Sequence, residues 1–225
     1  MCKRHLRGCG KEKKMRIKIC GLCRRQDIVY VNEALPDFAG FVFWQKSRRY
    51  IAKEQAAVLK KKLDSRIQAV GVFVDEAPDR ILSLLLSGVI DIAQLHGKET
   101  EEEIRWLQKK SGKPVWKAVV VKDAASVERW RFSQADFILF DGGMGEGRTF
   151  LWENLSGFDR AFFLAGGITA ENLKEIKENP YLAGIDVSSG VETEGVKDGA
   201  KIKLFVKEVR RLQAEWEKEH CAAVE

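Results

Sequence analysis

Short apolar runs rich in β-branched and aromatic residues alternate along the chain with longer stretches in which apolar positions recur every three or four residues. The first pattern reads as buried strand and the second as amphipathic helix. Eight runs have strand character: RIKICG, FAGFVFW, IQAVGVFV, VIDIAQLHG, PVWKAVVV, DFILFDG, AFFLAGG and AGIDVSSG. Between them lie RRQDIVYVNEAL, AKEQAAVLKKKL, APDRILSLLL, EEEIRWLQKKS, AASVERWRF, a short LWENLSG and AENLKEIKEN, and KIKLFVKEVRRLQAEWEKE closes the chain. Strand and helix in regular alternation with short connections predict an α/β protein, a single (β/α)8 barrel of parallel strands. An open parallel sheet would use the same alternation; the barrel is the more economical solution.

Alternation within each strand sets which side chains face inward. Ile17 and Ile19 share the face that meets the helices, which turns Lys18 and Cys20 toward the barrel interior. By the same parity Gln94 and His96 share a face of the fourth strand, and Asp186 and Ser188 one of the eighth. A buried ammonium at Lys18 requires a partner, and Asp186 would neutralise it. A polar packing plug would account for Lys18 and Gln94 without any chemistry.

Length and composition narrow the picture. At 225 residues, 45% hydrophobic and 32% charged, the chain suits one globular domain with a full core. A formal net charge of +6 raises the question of nucleic acid, but most basic residues are interleaved with acidic ones, as in KEQAAVLKKKLD. That is the solvated face of amphipathic helices. A denser cluster, six Lys or Arg against one Glu, occupies residues 1–14. These residues read as a disordered basic extension or a mis-assigned start, with the barrel occupying 15–225 and ending in a long helix. No apolar segment follows to make a secretory signal, and ILSLLLSGVI is too short to span a bilayer. A cytoplasmic protein with neither a membrane nor a nucleic-acid partner is expected. Five cysteines without framework spacing argue against a disulfide-held fold.

In a barrel, function collects at the C-terminal ends of the strands. The first strand ends at Cys20, and Cys20-x-x-Cys23 could be a redox dithiol, half of a metal site, or neither. No second C-x-x-C completes a zinc site. The seventh strand ends in Gly166-Gly167 ahead of a helix start marked by Thr169 and Glu171, and the eighth in Ser188-Ser189-Gly190. Ordinary tight turns would explain either loop alone. On consecutive loops they point to a phosphate site, where glycines let backbone amides approach an anion and hydroxyls complete the cradle. Asp141 ends the sixth strand. A thiol and a carboxyl at one barrel mouth could serve as base and acid around a single substrate; a small core residue and a turn aspartate are the plainer readings.

Taken in order, KICGL, GFVFWQKSRRY, AQLHG, LAGGITAEN and GIDVSSGVE resemble the phosphoribosylanthranilate isomerase family, over about Met15 to Arg211. The resemblance implies a barrel of tryptophan biosynthesis that works as monomer or homodimer without cofactor or metal. It implies a phosphosugar substrate, N-(5-phosphoribosyl)anthranilate, rearranged to 1-(2-carboxyphenylamino)-1-deoxyribulose 5-phosphate. Cys20 would be the general base and Asp141 the general acid. Arg49, favoured over Arg48 by the Tyr50 that follows, would clamp the anthranilate carboxylate. Gly166, Gly167, Ser188, Ser189 and Gly190 would hold the phosphate, Asp186 would contact the sugar hydroxyls, and His96 would line the site. Cys23 falls where the family varies. The loop DGGMGEGRTFLW is shorter than the family's usual segment and would cover the substrate. The related sugar-phosphate isomerase of histidine biosynthesis would be expected to carry an aspartate at the end of strand one, so Cys20 speaks against it. A nucleic-acid-binding protein using the basic arm would leave the glycine and serine loops unexplained.

Overall fold

The computed structural model of the chain describes residues 14–142, 155 and 157–222. Eight parallel strands close into a barrel in sequence order, with the eighth pairing back onto the first. They are β1 (Arg16–Cys20), β2 (Phe38–Val42), β3 (Gln68–Phe73), β4 (Ile92–Leu95), β5 (Val115–Val120), β6 (Phe137–Asp141), β7 (Phe162–Ala165) and β8 (Leu182–Val187). Helices α1 (Arg25–Ala34), α2 (Lys53–Lys60), α3 (Pro78–Leu86), α4 (Glu101–Ser111) and α5 (Ala124–Glu128) follow the first five strands in turn. The long α6 (Gly199–Ala222) closes the ring. This is the TIM-barrel architecture that the alternation predicts. Among the described residues no helix is long and apolar enough to cross a membrane.

Strand parity divides the apolar residues into two populations. Ile17, Ile19, Phe41 and Phe73 belong to the large cluster shared with the helices. Phe38, Val70, Ile92, Trp116, Leu139 and Phe163 fill the barrel itself. Trp116 stacks on Phe163 at 4.8 Å between ring centroids and meets Phe38 edge-on at 4.9 Å. The Arg16 guanidinium lies 4.4 Å from the Phe137 ring centroid, where β1 and β6 begin. This plug fills the interior toward the N-terminal ends of the strands, and in such barrels function collects at the opposite, C-terminal mouth. Lys18 and Asp186 are register partners, and Lys18 Nζ donates to Asp186 Oδ2 at 2.8 Å with the lysine fully buried.

The closing helix is fastened at its start and midway along its length. Asp198 Oδ1 accepts the first free amides of α6, from Ala200 at 2.9 Å and Lys201 at 3.1 Å. Further along, Arg210 donates to Asp37 at 2.8 Å and to the Met15 carbonyl, while Asp37 also accepts the Ile17 amide and Lys14. Asp37 therefore ties the helix to the start of β1. Of the basic extension read at residues 1–14, only Lys14 falls within the described residues.

Three segments differ from the sequence expectation. AENLKEIKEN forms a single 3-10 turn, Leu173–Glu175, instead of an α-helix. Asn172 accepts from the Thr169 amide and donates to the Gly167 carbonyl, drawing the backbone into a local turn, and Pro180 disfavours helix just behind it. Helix α5 stops at Glu128 instead of continuing to Phe132; beyond it, the Arg160 guanidinium takes the Ser133 and Ala135 carbonyls and holds the chain extended into β6. After β8 comes an unexpected hairpin, β9 (Glu192–Thr193) and β10 (Val196–Lys197). Its turn residues Glu194 and Gly195 both have positive φ, 51° and 78°, which suits a two-residue hairpin loop. The expected short helix LWENLSG lies almost wholly outside the described residues.

Candidate active site

Cys20 ends β1 nearly buried, with its position fixed from both neighbouring strands. The amides of Gly21 and Leu22 both donate to the Gly40 carbonyl at 2.9 Å, and the Ser188 hydroxyl donates to the Cys20 carbonyl at 3.0 Å. Beneath it, on the same inward face, lies the Lys18–Asp186 pair. Burial pushes the Cys20 thiol above its ordinary range, and the positive fields of Lys18 and Lys197 pull it back only in part. Desolvation outweighs these positive fields, so the Cys20 thiolate, once formed, holds a proton strongly. Burial also works against the Lys18 ammonium, but Asp186 and Cys20 overcome it and hold its pKa up. Asp186 Oδ1 and Gln94 Oε1 are buried and accept no hydrogen bond among the described residues.

Cys23 has a different environment. It is half-buried, its amide donates to Asp27 and its carbonyl accepts from Gln55, so it belongs to the entry into α1. Burial and the Asp27 charge both raise its thiol pKa.

Asp141 ends β6 between two neighbours. Its Oδ2 stands 3.6 Å from His96 Nε2, beyond hydrogen-bonding distance. Its Oδ1 lies where a side chain on Gly166 would begin: a Cβ there would approach within 2.5 Å. Gly166, with φ of 94°, thus supplies both an unusual backbone conformation and room for the carboxylate. Burial holds the His96 imidazole below its ordinary pKa despite the opposing charge of Asp141, so it is neutral at pH 7.

The loops after β7 and β8 touch. A Cβ on Gly190 would fall 1.9 Å from the Ile168 carbonyl oxygen, so only glycine allows the two turns to meet. Gly167 is exposed with φ of 64°, and Ser189 opens the 3-10 turn Ser189–Val191. The full helix N-terminus expected after Gly166-Gly167 is absent from this arrangement. What the structure brings together here is the backbone of the two glycine turns and the Ser188-Ser189 segment.

Arg49 reaches the mouth over Gly21, whose missing side chain makes room: a Cβ there would come 2.3 Å from Arg49 Cδ. Its guanidinium donates to Glu192 twice, Nε to Oε1 at 2.6 Å and Nη2 to Oε2 at 2.8 Å. Arg48 also reaches Glu192, at 2.8 Å, but its side chain is 60% exposed against 19% for Arg49. Buried Lys197 completes the cluster, donating to Glu192 Oε1 at 2.7 Å and to the Ser188 carbonyl at 2.8 Å.

A family model described as N-(5'-phosphoribosyl)anthranilate (PRA) isomerase matches residues 17–208. The chain belongs to the phosphoribosylanthranilate isomerase family. The family member from Endomicrobium trichonymphae is 46% identical over 204 residues, spanning 88% of this chain and 99% of that one. The crystal structure of phosphoribosylanthranilate isomerase from Thermotoga maritima superposes with a TM-score of 0.79 at 35% identity, covering 88% of this chain and 99% of that one. A further structure of the isomerase, in complex with reduced 1-(o-carboxyphenylamino)-1-deoxyribulose 5-phosphate, has a TM-score of 0.77 at 35% identity and the same coverage.

For this phosphoribosylanthranilate isomerase family member, the fold gathers Cys20, Arg49, His96, Asp141, Asp186 and the two glycine-bearing turns at one end of the barrel. Sequence reading did not assign Glu192 or Lys197, although Glu192 closes the quoted GIDVSSGVE run. Nor did it assign Gly21 and Gly40, whose meaning lies in what a side chain there would strike. Of the loop expected to cover the substrate, DGGMGEGRTFLW, all but Asp141 and Gly142 lies outside the described residues.

Proposed function

We propose that this chain isomerises N-(5-phosphoribosyl)anthranilate to 1-(2-carboxyphenylamino)-1-deoxyribulose 5-phosphate in tryptophan biosynthesis, with Cys20 as base and Asp141 as acid. Asp141 gives a proton to the furanose ring oxygen as the anilino nitrogen lone pair moves toward C1; the C1–O bond breaks and an open-chain iminium forms. Cys20, as the thiolate, takes the proton from C2 and becomes the thiol, and the electrons of that C–H bond flow toward the iminium nitrogen to give an enolamine. Ketonisation of the enolamine, with a proton delivered to C1 and the C2 hydroxyl proton released, completes the Amadori product. The base must be strong and shielded, which is the character burial gives Cys20.

The remaining residues have supporting roles. The touching turns at Gly166, Gly167, Ser188, Ser189 and Gly190 hold the phosphate through backbone amides. Asp186 Oδ1, buried and still able to accept, takes a sugar hydroxyl. Arg49 meets the anthranilate carboxylate, and neutral His96 lines the wall beside Asp141.

The observation that carries this reading is the placement of Cys20 and Asp141 at the strand ends that flank the joined β7 and β8 turns, in a chain of this family. The test is product identity. The purified chain is incubated with N-(5-phosphoribosyl)anthranilate generated in situ, and the product, equal in mass to the substrate, is separated chromatographically, identified by its NMR spectrum and followed by the loss of anthranilate fluorescence. Formation of the deoxyribulose phosphate is the expected outcome; an unchanged substrate with folded protein refutes the reading.

A further inference from the structure

Glu192 is the centre of a cluster that the base, the acid and the phosphate cradle do not by themselves require. One edge of the Arg49 guanidinium, Nε and Nη2, is held by its two carboxylate oxygens. Such a fork fixes the plane of the guanidinium as well as its place, and turns the remaining Nη1 edge away from Glu192. The carboxylate is itself pinned from behind by Lys197, whose side chain is 2% exposed and which also holds the Ser188 carbonyl. Arg48 adds a third cation from the solvent side. Three cations therefore surround one carboxylate, leaving two positive charges in excess at the mouth. An arginine free to swing would pay side-chain entropy each time it met a ligand; this one is already aimed.

We propose that Glu192 is a positioning residue that sets the preference for an aryl amine bearing a carboxylate, by aiming Arg49 at that group. The inference rests on the reading of Arg49 as the anthranilate clamp. Because Lys197 joins Glu192 to Ser188, and Gly21 seats the Arg49 stem beside Cys20, the clamp is registered to the phosphate turn and the base at once. Glu192 stays in place when substrate binds: a carboxylate leaving this cluster would strand the buried Lys197 without its partner. Burial opposes the charged form of Glu192, but the hydrogen bonds from Arg49 and Lys197 outweigh it and keep it ionised.

The test compares two substrates, N-(5-phosphoribosyl)anthranilate and N-(5-phosphoribosyl)aniline, which lacks the carboxylate. Both are generated in situ from ribose 5-phosphate and the amine, and their products are separated chromatographically. The readout is the ratio of kcat/KM for the two, measured for wild type, Arg49→Ala, Glu192→Gln and Glu192→Asp. Wild type favours the anthranilate. Arg49→Ala and Glu192→Gln each lower the ratio by about tenfold or more, through a raised KM for the anthranilate, and Glu192→Asp, which keeps the charge but shortens its reach, falls between. If Glu192→Gln does not fold, the aspartate variant carries the test. A ratio collapsed in Arg49→Ala but retained in the Glu192 variants overturns the inference and leaves the clamp standing. A ratio retained in Arg49→Ala overturns the clamp and the inference together.

Discussion

Cys20, at the end of β1, and Gly40, midway along β2, are register partners, and a Cβ built on Gly40 would lie 2.9 Å from both Cα and Sγ of Cys20. The glycine is therefore the space in which the sulfur sits. Gly40→Ala should displace the thiol, because the backbone atom it strikes cannot rotate away. The expected result is a loss of kcat/KM of at least about tenfold together with about 1–3 kcal/mol of stability, the range for overpacking a tight interior. Urea unfolding and steady-state kinetics on the same variant check both. A fully active, equally stable alanine variant would show that the sulfur has slack.

The pH dependence follows from the Lys18 charge. Burial raises the Cys20 thiol and Lys18 opposes it most, so removing the ammonium leaves burial and the Asp186 charge opposed only by the smaller field of Lys197. Lys18→Met should therefore move the thiol titration to higher pH. In a background with Cys2, Cys9, Cys23 and Cys221 replaced by alanine, the rate of Cys20 alkylation by iodoacetamide measured against pH reports that titration directly. A midpoint that stays put, or falls, contradicts the assignment of Lys18 as the main charge facing the sulfur.

Asp37 links stability to acid. Burial favours its protonated form, but hydrogen bonds from Arg210, the Ile17 amide and Lys14 outweigh burial and depress its pKa. A depressed carboxylate contributes stability that is present above the ordinary aspartate range and is lost as pH falls through the folded value. Asp37→Asn should cost about 1–3 kcal/mol at pH 7, and the gap from wild type should narrow as the pH is lowered below 4. Urea titrations across that range measure it; a gap constant with pH would assign the loss to packing.

What was legible in the sequence depended on period. Strands of four to six residues carry enough alternation to place Lys18 and Cys20 inward and to anticipate the Lys18–Asp186 pair. Parity does not reach Cys23, which lies beyond β1 at the entry into α1; the family resemblance set it apart from Cys20. The hairpin bearing Glu192 and Lys197 has strands of two residues, too short to show any period, so its buried charges could not be placed. AENLKEIKEN carries a helical period, yet Thr169 and Asn172 spend their side chains on nearby backbone and the helix does not form. The roles of Gly21, Gly40, Gly166 and Gly190 are steric, and only neighbours distant in sequence reveal them.

The most direct measurement is turnover of N-(5-phosphoribosyl)anthranilate, followed by loss of its fluorescence, for wild type, Cys20→Ala, Asp141→Asn and Cys23→Ala side by side, with circular dichroism to confirm folding. Wild type and Cys23→Ala should turn over at similar rates, while Cys20→Ala and Asp141→Asn each lose about a hundredfold or more, as removal of a general base or acid requires. Folded Cys20→Ala or Asp141→Asn protein with near wild-type turnover would contradict the pairing of thiol base and carboxyl acid.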